Sequence, residues 1–256
     1  MHLLLENNHI LTWILYFFIY AFIGWIVEVV YHVVKQGKFV NRGMLAGTIC
    51  PIYGFGSVLL TYLLFPYRDK TLILFLSSAL ICTFLEYLAG LILDKLFHKR
   101  WWDYSDNKFN LGGYVCLEFL LYWGVGGIIL VRDIHTSMVN MVSLIPIQLL
   151  MVVDILFLII FIIDLISTVQ SILKFNRKLK LLSEMREDIY KVSDKIGEEV
   201  ADRTLNVMDR SLLISKFTAR EKRIFSAFPN IKENRYRDVF LELRDKFDEW
   251  QSKKPS

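Results

Sequence analysis

Up to residue 170 the apolar positions of this 256-residue chain fall in long runs; beyond it they recur singly, at intervals of three and four. Five runs, at 10–34, 44–65, 72–93, 111–131 and 144–169, match the roughly 20 residues that a helix needs to cross a hydrocarbon core. The pattern therefore predicts an all-α polytopic membrane protein. A transmembrane domain over 1–170, with about five spanning helices, precedes a cytosolic helical region over 171–256. Pro51, Gly54 and Gly56 interrupt the first half of the second run. Proline removes an amide donor and glycine weakens helix, so a broken or re-entrant second span is expected. Such backbone survives at membrane depth only inside protein or beside a water-filled cavity.

The tail reads differently. Leu182, Met185, Ile189, Val192 and Ile196 form a seam that predicts a short coiled coil over 179–200 and self-association through it. Thr218 and Glu221 have capping-box spacing, and Asn230 and Glu233 a weaker version of it. The second of these announces an amphipathic helix over 233–250, whose stripe is Tyr236, Val239, Phe240, Leu243, Phe247 and Trp250. That stripe must be buried against the seam helix, the membrane surface or a partner.

Composition sharpens the class. Hydrophobic residues make up 54% of the chain and the mean hydropathy is +0.40, an excessive apolar load for a soluble domain. The net charge of +4 is small and unevenly placed, so it speaks about topology and the lipid bilayer, with no nucleic acid implied. Lys35, Lys38, Arg42, Lys95, Lys99, Arg100 and Lys108 lie between the first and second and the third and fourth runs. The alternate loops hold only Arg68, Lys70 and Arg132. With the basic tail also inside, the N-terminus is expected outside and the C-terminus in the cytoplasm. The first run is too long for a signal peptide, carries Glu28 and lacks a small-residue cleavage site, so it is expected to stay attached. Cys50, Cys82 and Cys116 show no paired spacing and read as reduced, packed thiols.

The connection 98–118 packs tryptophans, cations, acids and asparagines between two apolar runs. Trp101, Trp102 and Tyr104 suit the headgroup level and Lys99 and Arg100 a cytoplasmic flank. Asp103, Asn110 and Glu118 are left over. Glu28, Glu86 and Glu118 lie seven, nine and eight residues from Lys35, Lys95 and Asn110, each roughly 10 to 14 Å below the cytoplasmic interface at 1.5 Å per residue. An ionised acid in hydrocarbon costs at least about 2.5 kcal/mol, so these should face inward. The set predicts a cytoplasm-facing pocket lined by Glu28, Asn41, Arg42, Tyr53, Glu86, Trp102, Asp103, Tyr104, Asn110 and Glu118. Its competitor is a closed network of Arg42 and the acids that locks helix packing and takes no ligand. No metal-ligand spacing, cofactor motif or catalytic motif accompanies these residues. No GxxxxGK[ST] occurs, so the chain is not itself an ATP-hydrolysing subunit of that type.

The motifs NRGMLAGTICPIYGFG (41–56), FLEYLAG (84–90) and KRWWDYSDNKFNLGGYVCLEF (99–119), in this order, resemble those of the CmpB-type, ABC-transporter type IV family of bacterial membrane proteins. The resemblance runs from Gly24 to Gly124, and AFPNIKENRY (227–236) is similar too. It implies a bacterial cytoplasmic membrane location, a permease-like role, and an ATPase partner on a separate chain. Three functions stay open. The first is a transport-associated subunit admitting a polar or cationic solute to the acids. The second is a membrane enzyme acting on a lipid or lipid-linked substrate, and the third a membrane-anchored scaffold or regulator.

Overall fold

The computed structural model describes residues 10–193, 218–229 and 231–252, and the chain divides into two compact units. The first takes residues up to Ile92 and Trp102–Ile166; the second takes Leu93–Trp101 and the residues from Ser167 onward.

Helices make the first unit because its backbone must satisfy its own hydrogen bonds in an apolar medium. Helix α1 (Ile10–Gln36) is followed by α2 (Pro51–Leu64), a 3-10 turn (Phe65–Tyr67) and α3 (Thr71–Phe97). After the loop 98–116 come α4 (Leu117–Ile128), a π turn (Ile129–Ile134), α5 (His135–Val142) and α6 (Ile147–Ser193). Among the described residues, three helical stretches are long and apolar enough to cross a membrane: Ile10–Lys35, Thr71–Phe97 and Ile147–Asp188. On the last of them Val152, Ile155, Leu156, Ile159, Ile160, Ile163 and Ile166 are all exposed, the surface of a helix that meets lipid.

Helix α2 has 14 residues, roughly 21 Å of rise, less than the hydrocarbon thickness of about 30 Å. The irregular backbone precedes it. Pro51 opens the helix, where a missing amide costs nothing, and Gly54 and Gly56 lie buried within it. The segment before Pro51 is stitched to α1 by Cys50 N–H donating to Ala21 O at 2.9 Å. It is stitched to α6 by Ala46 and Gly47 N–H donating to Asp164 at 3.2 and 2.7 Å. Helices approach closely where a side chain is missing: a Cβ on Gly24 would collide with the Tyr53 ring, and one on Gly127 with Ser78.

In the second unit the continuation of α6 packs with α7 (Ala219–Ala227), β2 (Lys232–Glu233) and α8 (Arg237–Ser252). Thr218 and Glu221 form the predicted capping box. The last helix, however, starts at Arg237 and not at residue 233. Glu233 instead lies on β2, antiparallel to β1 (Lys99–Arg100) with Lys99 opposite it, and Asn230 falls outside the described residues. The middle of the α8 stripe is buried against α6 and α7, while the Trp250 side chain lies outside the described residues: Phe225 stacks on Phe240 at 5.5 Å and meets the Phe175 ring edge-on at 5.4 Å. Phe240, Leu243 and Phe247 are nearly fully enclosed. Trp101 is also buried here, edge-on to Phe228 at 4.8 Å, so it is a core residue and not an interfacial anchor. Of the predicted seam, Met185 is exposed, and Ile196 lies outside the described residues.

Among the ion pairs of this unit, two involve nearly enclosed carboxylates, Glu221 and Glu233. Lys178 reaches Glu221 at 2.8 Å. Lys99, itself buried, pairs with buried Glu233 and donates to Asn176 Oδ1 at 2.6 Å, while Asn176 Nδ2 donates to Phe97 O at 2.9 Å. Burial pulls the Lys99 ammonium below the ordinary lysine value, and the Glu233 carboxylate opposes that pull.

Candidate functional site

Two of the three predicted acids anchor one connected set. Gly24 and Glu28 are one turn apart on the same face of α1. The Tyr53 ring lies against Gly24, which leaves its hydroxyl to donate to Glu28 Oε1 at 2.7 Å. Arg42 Nε, from the segment before α2, approaches Glu28 Oε2 at 3.7 Å. Helix α3 repeats the device. Gly90, one turn beyond Glu86, admits the rings of Trp102 and Tyr114, and Tyr104 of the same loop donates its hydroxyl to Glu86 Oε1 at 3.2 Å. Trp123 Nε1 on α4 donates to the other oxygen, Glu86 Oε2, at 2.8 Å. Tyr53 and Trp123 meet edge to face, with ring centroids 5.7 Å apart. Arg42, Glu28, Tyr53, Trp123, Glu86 and Tyr104 thus form a continuous chain of contacts drawn from five separate stretches of sequence.

Within it the two acids differ. Glu28 has a guanidinium beside it and is partly exposed, whereas Glu86 is buried and, among the described residues, has only neutral donors, one on each oxygen. Tyr104 also stacks on Phe119, 4.5 Å between centroids. Burial holds its phenol well above the ordinary tyrosine value, with the charge of Glu86 and the hydrogen bond to it adding to the effect. Tyr104 therefore keeps its proton and stays a donor.

The remaining predicted residues shape loops. Asn41 accepts from Trp25 Nε1 at 2.8 Å and from Gly43 N–H at 3.1 Å, and donates to Ala46 O at 2.8 Å. Trp102 Nε1 donates to Tyr114 O at 2.9 Å. Asp103 accepts from Ser105 N–H and Oγ, at 3.1 and 2.5 Å. Asn110 donates to Ser105 O and Asn107 O, at 3.1 and 2.9 Å, and accepts from Gly113 N–H at 3.1 Å.

Glu118 departs from the expected depth. The run expected to be helical from residue 111 first makes a turn, with Leu111 bridged to Val115 and Gly112 and Gly113 at φ of 60° and 75°. That is left-handed backbone which glycine adopts freely. Helix α4 begins only at Leu117, so Glu118 sits exposed in its first turn, accepting from Asn107 Nδ2 at 3.2 Å and Tyr122 Oη at 3.0 Å.

Trp123 was not among the predicted site residues. Its indole N–H, a donor that a buried tryptophan must satisfy, is the signal that could have found it. Asp164 ties down a loop, whereas Asp154, on the same helix, is fully enclosed with neither oxygen hydrogen-bonded among the described residues. No group of three or more histidine, cysteine or acidic side chains that could hold a metal occurs among the described residues.

Comparison with curated proteins and with solved structures gives no match. A family model does match, over residues 15–169. That interval takes in most of α1, all of α2 to α5, most of the apolar part of α6, and every residue of the Glu28 and Glu86 set. The chain belongs to the family described as putative ABC-transporter type IV.

Proposed function

We propose that this protein is a transport-associated, permease-like subunit of a bacterial cytoplasmic membrane. In this reading Glu28, Arg42, Tyr53, Glu86 and Tyr104 line a cytoplasm-facing pocket for a polar or cationic solute. The observation that carries it is Glu86, a buried carboxyl group with a neutral donor on each oxygen. An acid at membrane depth is costly, at least about 2.5 kcal/mol when ionised, and such groups mark solute and ion paths. In the same reading α2, short as it is, and the continuous α4 to α5 segment complete five spans. The N-terminus lies outside, residues 171–256 lie in the cytosol, and an ATPase is a separate chain.

The test is solute accumulation or growth in cells carrying Glu86→Gln or Arg42→Ala, with protein level measured alongside. Loss of accumulation at normal protein level is the expected result; unchanged accumulation at that level refutes the pocket. A second reading, a closed network that only fastens helices, is favoured by the fact that each Glu86 oxygen already has a donor. It predicts the opposite pattern, a lowered melting temperature with accumulation intact.

A further inference from the structure

The charges of the site do not balance. Two carboxyl groups, Glu28 and Glu86, lie within electrostatic reach of one another, and among the described residues the cation paired with either of them is Arg42, at Glu28. The other titratable groups facing Glu86 are Tyr53 on α2, Cys82 one turn earlier on α3, and Tyr104 of the loop, which in turn faces Cys116. None of these brings positive charge to Glu86, and His32 on α1 faces Glu28 and Arg42 instead. Ionised, the buried Glu86 carries a negative charge with no cation on it among the described residues, an expensive arrangement in a low-dielectric interior. One added proton makes it neutral.

The geometry shows where that proton can go without disturbing the packing. As a carboxylate, Glu86 accepts from Tyr104 Oη and from Trp123 Nε1. As an acid it keeps the Trp123 bond on one oxygen and turns the other oxygen into a donor toward Tyr104, because a phenol oxygen accepts as well as donates. Indole N–H can only donate, so Trp123 fixes which oxygen stays an acceptor. Both states are hydrogen-bonded in the same rotamer. Glu28 has no such symmetry, since one of its oxygens accepts from the Tyr53 hydroxyl and the other faces the Arg42 guanidinium.

We propose that Glu86 is a reversible proton-binding site, loaded and unloaded through the Tyr104 hydroxyl, and that its proton sets the charge of the pocket. The step is a simple protonation: the Tyr104 hydroxyl passes its proton to a carboxylate oxygen of Glu86 as it takes one from water, and the reverse sequence returns it. This deepens the pocket reading, and the effect of the proton on solute binding rests on that reading. The protonation itself does not.

The experiment is an infrared pH titration of the full chain reconstituted in lipid vesicles, following the carbonyl stretch of protonated carboxyl groups. The expected result is a band that grows as pH falls and is missing from Glu86→Gln, whose amide keeps the shape of the site. Tyr104→Phe should displace the midpoint of that titration and slow its approach to equilibrium after a pH jump, neither of which a purely structural tyrosine would do. Should Glu86→Gln fail to fold, Glu86→Asp keeps a carboxyl group and must shift the band. A wild-type spectrum with no Glu86-dependent band, or with that band constant at every pH, overturns the proton site. Such a result leaves the solute-accumulation test of the pocket untouched, so the two proposals fail separately.

Discussion

The two units place their apolar and polar side chains differently. In the first, large apolar side chains such as Ile155, Ile159 and Ile163 point outward, and beside apolar clusters such as Leu60, Leu64, Leu74 and Val131 the interior holds Glu86, Thr61, Ser78, and the Tyr20 and His135 pair joined at 2.6 Å. In the second, phenylalanines from α6, α7 and α8 fill the interior, and polar groups enter it as complete ion pairs, Lys99 with Glu233 and Lys178 with Glu221. The difference follows from what each medium does to an unpaired group. Lipid gives no advantage to burying leucine, so helices are held by small-residue contacts and internal hydrogen bonds. Water rewards apolar burial at about 25 cal/mol per Å², and a charge taken out of it must bring its partner.

That contrast can be broken most sharply at Lys99. Replacing Glu233 by alanine leaves the ammonium buried without its counterion and should destabilise the second unit by about 3–5 kcal/mol. Thermal unfolding of the full chain in detergent, read by limited proteolysis within residues 218–252, measures it. The double variant Lys99→Met, Glu233→Leu should recover most of the loss, because an apolar pair of similar volume is often neutral.

A second prediction compares equal exposure in unlike surroundings. Ile159 and Leu241 are 51% and 47% exposed. Ile159→Asp should cost about 2.5–3.5 kcal/mol of membrane insertion, whereas Leu241→Asp should change stability by less than about 0.5 kcal/mol. Insertion assays on the first and melting of the second decide whether exposure means lipid in one unit and water in the other. Equal effects would erase the distinction.

The smallest expected effect sharpens the picture of the second unit. Thr218→Ala removes one half of the capping box and should cost about 1 kcal/mol. The change is visible as a lower melting temperature with no loss of the Phe225 and Phe240 packing, which Thr218 does not touch.

Much of this was written in the chain. The long apolar runs specify helices that meet lipid, and the Thr218 to Glu221 spacing specifies the cap that forms, because both depend on neighbours in sequence. The inward acids Glu28 and Glu86 were legible as well, since a carboxyl group within an apolar run must find a partner. Three things were not. Glu118 was placed too deep because Gly112 and Gly113, which make the turn before α4, also suit a helix contact. Glu233 was read as a helix cap, since nothing local to it announces a strand partner 134 residues away. Trp101 and Trp102 look like one anchor, yet they belong to different units, for adjacency along the backbone does not decide which core a side chain enters.

Periodicity and polarity act over a few residues, so the sequence by itself determined that the chain is mostly helical and that its longest apolar runs, such as Ile10–Lys35, Thr71–Phe97 and the start of α6, are helices fit to cross a membrane. Which donors meet Glu86, which oxygen each takes, and which acid receives Arg42 depend on groups brought together from separate helices and loops. Their positions follow from close approaches such as Gly24 on Tyr53 and Gly90 on Trp102, and those contacts exist only once the helices have packed.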